Sequence, residues 1–221
     1  MLSIDGYVGI IGTGMMATGI ATAYSKSQIP VMLGSRERAR GQQKAFQISR
    51  SNSLCSGMCC GGSIADVLEN CSIIFLTVPT RLQYEDGSIQ DGVIDFLQRY
   101  GESHIRGRGK ILIDTTYYGR GNFCRPTPPQ PYLSALHYHS AHLADPSTSW
   151  ATSYKSVSWV SVRDLKRQGL EIAGDDAAKT VLAFLIAKTG FKPLDCGDII
   201  NGGALVEPGG PRRRPHPEAD V

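Results

Sequence analysis

Gly12, Thr13, Gly14, Met15, Met16 and Ala17 read GTGMMA and directly follow the apolar run GYVGII. Two glycines at this spacing, between a strand and a helix, suit a pyrophosphate. The first allows the tight turn, the second lets the backbone approach the phosphate oxygens, and Ala17 lets the helix pack closely on the sheet. The start of that helix offers N–H groups that have no partner within it.

The next apolar run, PVMLGS, ends in Ser35 and Arg36. A bare ribose is bound here by Asp or Glu, whereas a 2′-phosphate is repelled by a carboxylate and suits a guanidinium. Arg40 lies one helical turn after Arg36 and faces the same side. Ser35 adds a hydroxyl. Together these residues predict NADP(H) rather than NAD(H) as the dinucleotide. Glu37 is the alternative acid if the strand runs further than expected. A solvated helix face carrying Arg36, Arg38 and Arg40 is the reading without a ligand.

Val78, Pro79 and Thr80 close the next buried run, SIIFLTVPT, where a dinucleotide places its nicotinamide ribose. Pro79 stiffens this turn and Thr80 offers a hydroxyl. Asp114, at the end of KILIDTT, is expected to tie down the loop that follows. No catalytic residue is assigned, because there is no GxSxG elbow and no persuasive triad or carboxylate pair. Hydride transfer between a nicotinamide and a conjugated ring needs no obligatory acid–base pair. His137, His139 and His142 align poorly on one helix, so no metal site is expected, and solvent-facing or lid-facing imidazoles are. Adjacent Cys59 and Cys60 match no zinc spacing and are expected to be structural thiols.

The elements that must position these residues alternate. Strands are expected at 6–12, 30–35, 58–60, 72–80 and 110–116, with helices at 15–29, 36–50, 63–71 and 92–100. Ser63 and Asp66 have the spacing of a helix cap. After an irregular stretch with a short helix near 132–143, periodicity resumes over 153–168, then comes strand 170–174, helix 175–190 and strand 191–197. This predicts an α/β, Rossmann-like doubly wound fold with a mainly parallel sheet and flanking helices. One domain over 1–200 is expected, with an insertion at about 117–153, followed by a C-terminal segment and basic proline-rich tail over 201–221.

With 41% hydrophobic and 19% charged residues and a net charge of +3, the 221-residue chain reads as a soluble globule. No nucleic-acid partner and no membrane insertion are expected. Six cysteines without a secretory leader suggest free thiols in a reducing, cytoplasmic setting.

IIGTGMMATGIA, VMLGSRERAR, GGSIADVLENCSIIFLTVP and the C-terminal LEIAGDDAAKTVLAFLIAKTGFKPLDCG together resemble the coenzyme F420-dependent NADP oxidoreductases. They also resemble the related NADPH-binding domain of transmembrane metalloreductases. The resemblance places Ser35, Arg36 and Arg40 at the NADP 2′-phosphate. It implies a small-molecule redox acceptor that is flavin-like, deazaflavin (F420-like) or quinone-like, and a homodimer. KSVSW, residues 155–159, departs from the Lys-Ala-Phe-Asn-Thr-like segment of that family, and the stretch 117–153 is longer. These departures leave the acceptor open and motivate an alternative reading, a non-catalytic NADPH-binding sensor or partner subunit. Replacing Arg36 by Ala is expected to weaken NADPH by about 1.5–3 kcal/mol and NADH far less, as read by parallel titrations.

Overall fold

Ile73 and Phe75 point to one side of the sheet and Ile74 and Leu76 to the other, and all four are buried. Both sheet faces are therefore covered, as a parallel sheet wrapped by crossover helices requires. The computed structural model describes residues 6–80, 82–116, 129–155, 157–165 and 169–207. In chain order the elements begin with β1 (Val8–Ile11), α1 (Met15–Lys26), β2 (Val31–Ser35), α2 (Arg38–Ser51), β3 (Cys59–Ser63), α3 (Ile64–Asn70) and β4 (Ile73–Leu76). A two-stranded hairpin, β5 (Leu82–Gln83) and β6 (Ile89–Gln90), leads into α4 (Gly92–Tyr100) and β7 (Ile111–Asp114). The second half holds α5 (Ala135–His142), β8 (Ser149–Thr152), α6 (Trp159–Arg163), β9 (Gly169–Gly174), α7 (Asp176–Lys188), β10 (Lys192–Asp195) and α8 (Asn201–Val206).

The main sheet runs β10-β9-β8-β7-β4-β1-β2-β3. Its pairs are parallel except β8 with β9. This is the doubly wound, mainly parallel Rossmann-like fold expected from the sequence. From β1 the chain steps outward to β2 and β3, then returns to β4 on the other flank of β1. A crevice opens at that reversal.

One face is filled by Val8, Ile10, Phe75 and Ile113 with α1 and α7, and the other by Ile11, Ile74, Leu112 and Trp150 with α3, α4 and α5. In the first, Phe75 meets Tyr24 edge-on at 5.6 Å and Tyr154 at 6.1 Å, and the two tyrosine hydroxyls hydrogen-bond at 3.0 Å. The pair satisfies two polar groups that would otherwise be costly to bury.

Several boundaries differ from the sequence expectation. The strand read at 58–60 is β3, whose Gly61 and Gly62 lack the branched side chains that mark strands. Residues 149–152, expected within an insertion, form β8 beside β7, because Trp150 and Ala151 supply buried side chains to both faces. Over 153–168 the only regular element among the described residues is α6. The 201–207 stretch also packs onto the fold: α8 contacts β9 and α5, and Glu207 is buried. Residues 117–128 of the expected insertion, and the basic tail, lie outside the described residues. No helix of the described residues is long and apolar enough to cross a membrane.

Gly41 interrupts α2, where an alanine would favour the helix by about 1 kcal/mol. The fold explains the glycine: a Cβ there would stand 2.3 Å from the carbonyl oxygen of Gly62 in β3. That neighbour is backbone and cannot rotate aside, so overpacking at about 1–3 kcal/mol outweighs the propensity gain. Gly41→Ala is expected to lower the stability measured by chemical denaturation, despite alanine's better helix propensity.

Candidate functional site

The loops after β1, β2 and β4 and one face of α4 enclose a cavity of about 270 Å³. Gly12 leaves β1 with φ +126°, in the region that favours glycine, and its N–H donates to the carbonyl of Gly34 at 2.9 Å. A Cβ on Gly12 would fall 2.4 Å from Thr77 Oγ1. That hydroxyl donates to the carbonyl of Ile11 at 2.7 Å, which pins the two strand ends together. Gly14 differs: it precedes α1 in extended conformation, and among the described residues beyond its chain neighbours no atom lies within 4 Å of where its Cβ would be. The first turn of α1 has no side-chain cap and no acid, so its N–H groups face the opening unneutralised.

Across the cavity stand Ser35, Arg36 and Arg40. Arg36 and Arg40 are exposed, and neither guanidinium has a partner among the described residues. Arg38, between them, points elsewhere and bonds the Asp66 carboxylate. Asp66 is also half of a capping box with Ser63, as the sequence spacing predicted, and these bonds hold its carboxyl below the usual range. Of the three, Arg38 is the one that is ion-paired, and Arg36 and Arg40 are the two that line the cavity. Glu37 precedes α2 at the cap position without a side-chain capping bond and does not line the cavity.

Of the residues singled out in the sequence, Gly12, Thr13, Gly14, Ser35, Arg36, Arg40, Val78 and Pro79 all line this one cavity. Three do not. Met15 is 67% exposed at the start of α1, Met16 packs on the hydrophobic core, and Thr80 is buried beyond Pro79. The far wall was missed: Asp95, Phe96, Arg99 and Tyr100 of α4, with Leu82 of the hairpin. Arg99 Nε donates to both carboxylate oxygens of Asp95 at 2.9 Å, Tyr84 donates to the same carboxylate at 2.6 Å, and the Phe96 and Tyr100 rings lie 5.5 Å apart. The signal was present in GVIDFLQRY, where these four fall at i, i+1, i+4 and i+5 and so share a helix face.

Beneath this wall lies a buried cluster of charges. His139 is fully buried, correcting the expectation of a solvent-facing or lid-facing imidazole. Its Nδ1 lies 2.8 Å from Asp114 Oδ2 and its Nε2 lies 3.1 Å from Asp91 Oδ1. Asp114 Oδ1 accepts from the N–H and hydroxyl of Thr116, which is the loop-tying role the sequence suggested. Nearby, Lys155 pairs with Glu207 at 2.8 Å, and Glu207 also accepts from the N–H of Ala135. Burial alone would push the Asp114 carboxyl up, but Lys155, His139 and Thr116 outweigh it and hold it at about 2. Burial likewise disfavours charged His139, yet Asp114 and Asp91 raise it to about 9. The five cysteines among the described residues are free thiols, and burial pushes Cys59 up to about 12.

A parallel sheet with a glycine turn at its reversal and a cavity spanning both loops defines the dinucleotide-binding class of α/β folds. Residues 7–85 match the family model described as NADP oxidoreductase, coenzyme F420-dependent, so the resemblance drawn from the sequence holds over that segment. No curated protein matches the sequence significantly. Among solved structures, a hypothetical protein from Sinorhizobium meliloti superposes with a TM-score of 0.74 at 18% identity, covering 95% of this chain and 93% of that one. A protein assigned as an F420-dependent NADP reductase from Arthrobacter sp. FB24 gives 0.64 at 19% identity, covering 88% and 86%. An imine reductase from Aspergillus terreus gives 0.61 at 12% identity, covering 92% of this chain and 59% of that one. At these identities the superpositions establish the fold.

The His139 cluster sets a pH dependence. Its folded value is raised from 6.5 to about 9, so its contribution to stability is complete below 6.5 and lost as pH rises through 9. Asp114 is lowered from 3.8 to about 2, so its contribution is present above 3.8 and lost as pH falls towards 2. The thermal midpoint is expected to be flat from 4.5 to 6.5 on the pH scale, approximately, and to fall towards 9. A level profile up to 9 would contradict the assignment of His139 as charged.

Proposed function

We propose that the cavity holds the adenosine side of NADP(H), and that the chain transfers a hydride between the nicotinamide and a small conjugated acceptor. The observation that carries this reading is the pair Arg36 and Arg40, which line the cavity without partners among the described residues, opposite an open glycine turn. Free guanidiniums beside a hydroxyl suit a dianionic phosphate, and the 2′-phosphate is the group that extends past the second strand.

In this reading the N–H groups of Thr13 to Met16 receive the pyrophosphate, with Gly14 giving it room. Ser35, Arg36 and Arg40 hold the 2′-phosphate. Phe96, Arg99 and Tyr100 give the adenine a flat wall, and the Asp95 carboxylate keeps Arg99 in place. Val78, Pro79 and Thr80 lead towards the nicotinamide ribose. When bound, the dinucleotide supplies the hydride chemistry, while the chain's own residues orient the two rings and exclude water. The acceptor class that fits both the family match and this division of labour is flavin-like, deazaflavin or quinone-like. Homodimeric assembly and a cytoplasmic setting complete the proposal, and the free thiols support the latter.

Two measurements test it. NADPH is expected to raise the thermal midpoint well above the shift produced by equal NADH, because preferential binding to the folded state stabilises by mass action. Anaerobic NADPH oxidation is then followed across flavin, deazaflavin and quinone acceptors. Turnover with one of them is the expected result. Tight NADPH binding without turnover on any would point instead to the sensor reading, and no midpoint shift would overturn the cleft assignment.

A further inference from the structure

Asp91, Asp114 and His139 come from the cap of α4, the end of β7 and the middle of α5. All three are at most 1% exposed, and none lines the cavity. Both ring nitrogens of His139 nevertheless face carboxylate oxygens. An ionised carboxylate only accepts, so both nitrogens must carry protons for both bonds to form. A neutral imidazole would donate once and turn a lone pair towards the other buried carboxylate, which is unfavourable at low dielectric. Lys155, after β8, adds a positive charge on the Asp114 side and is itself paired with Glu207, while Tyr138 flanks the ring on its own helix with centroids 5.6 Å apart.

The bonds continue to the cavity on both sides. Asp91 Oδ1 also accepts from the N–H groups of Val93 and Ile94, fixing the first turn of α4. Gly92, in that turn, is so close to the loop after β4 that a Cβ would lie 2.0 Å from the carbonyl oxygen of Pro79. The cavity wall of Asp95 to Tyr100 follows on the same helix. On the other side, Asp114 holds Thr116, and Thr115 Oγ1 donates to the carbonyl of Leu76 at the end of β4. Leu76 runs straight into Thr77, Val78 and Pro79. The contacts thus form a closed circuit from β4 through Pro79, α4, Asp91, His139, Asp114 and Thr115 back to β4.

We propose that His139 is a positioning residue for dinucleotide binding, an imidazolium that closes this circuit and fixes the α4 wall at its distance from the glycine turn. The inference rests on reading the cleft as the NADP(H) site. It assigns to a buried side chain, out of reach of the ligand, control over the width of the adenosine pocket.

The test uses the full chain and titrates NADPH and adenosine 2′,5′-bisphosphate, which carries the adenosine half alone. Asp91→Asn keeps an acceptor for His139 and a good cap for α4, and its affinities are expected within about threefold of the parent, whereas His139→Asn and Asp91→Ala should lose about tenfold for both ligands. The titrations are run where circular dichroism shows each variant folded, so a role confined to stability would lower the thermal midpoint and leave affinity unchanged. Nitrogen-15 spectra of the parent should show both His139 ring nitrogens protonated near neutral pH. A neutral ring, or unchanged affinity in Asp91→Ala and His139→Asn, would overturn the proposal. Should His139→Asn fail to fold, Asp91→Ala and the ring spectrum decide. A parent that binds no NADPH would overturn the cleft reading and this inference together, whereas a binding parent with unaffected variants overturns the inference alone.

Discussion

Between β1 and β4 the chain must leave the sheet in opposite directions, since β1 connects outward to β2 while β4 connects outward to β7. No crossover can cover the gap between two neighbouring strand ends that diverge in this way. Gly12 and Thr77 sit at those ends and are locked to each other through the carbonyl of Ile11. The cavity, the turn that feeds α1 and the loop that feeds α4 all take their places from this divergence. A pocket formed this way is fixed by backbone connectivity, and only its lining is open to variation by side chain.

The charges around the pocket divide into two kinds. Arg36 and Arg40 are exposed and unpaired among the described residues, so their charge is available to an incoming anion at little desolvation cost. His139 is bonded to Asp91 and Asp114, Lys155 is bonded to Glu207, all five are buried, and removing one partner would leave another charge stranded at low dielectric. The arrangement joins α4, α5, β7 and the segment after α8 around a single set of strand ends.

Local signals made much of this legible. The apolar runs of β1, β2, β4 and β7, the Ser63–Asp66 cap and the helix at 92–100 depend on neighbours within a few residues, and they fall close to where the sequence placed them. The glycine turn and the two arginines were readable for the same reason. What failed depended on distant partners. β8 is only four residues, SWAT, with hydroxyl side chains at both ends, and becomes a strand because β7 is there to receive it. β3 is made of Cys59 to Ser63, with two glycines, because α2 comes down onto its backbone. His139 sits in a run of histidines that looks like surface, and nothing within its own segment announces carboxylates that lie 25 and 48 residues away.

The contact between α2 and β3 reaches further than the packing of one helix. Arg40 is the residue immediately before Gly41, so the backbone that presents its guanidinium is anchored where the helix touches the outermost strand. In the proposed NADP(H) site, selectivity for a phosphorylated ribose is then partly a property of main-chain spacing. In that proposed site, redesign towards the unphosphorylated coenzyme has freedom at positions 36 and 40 and almost none at 41, where a single added methyl would run into the Gly62 carbonyl and force the helix and strand apart.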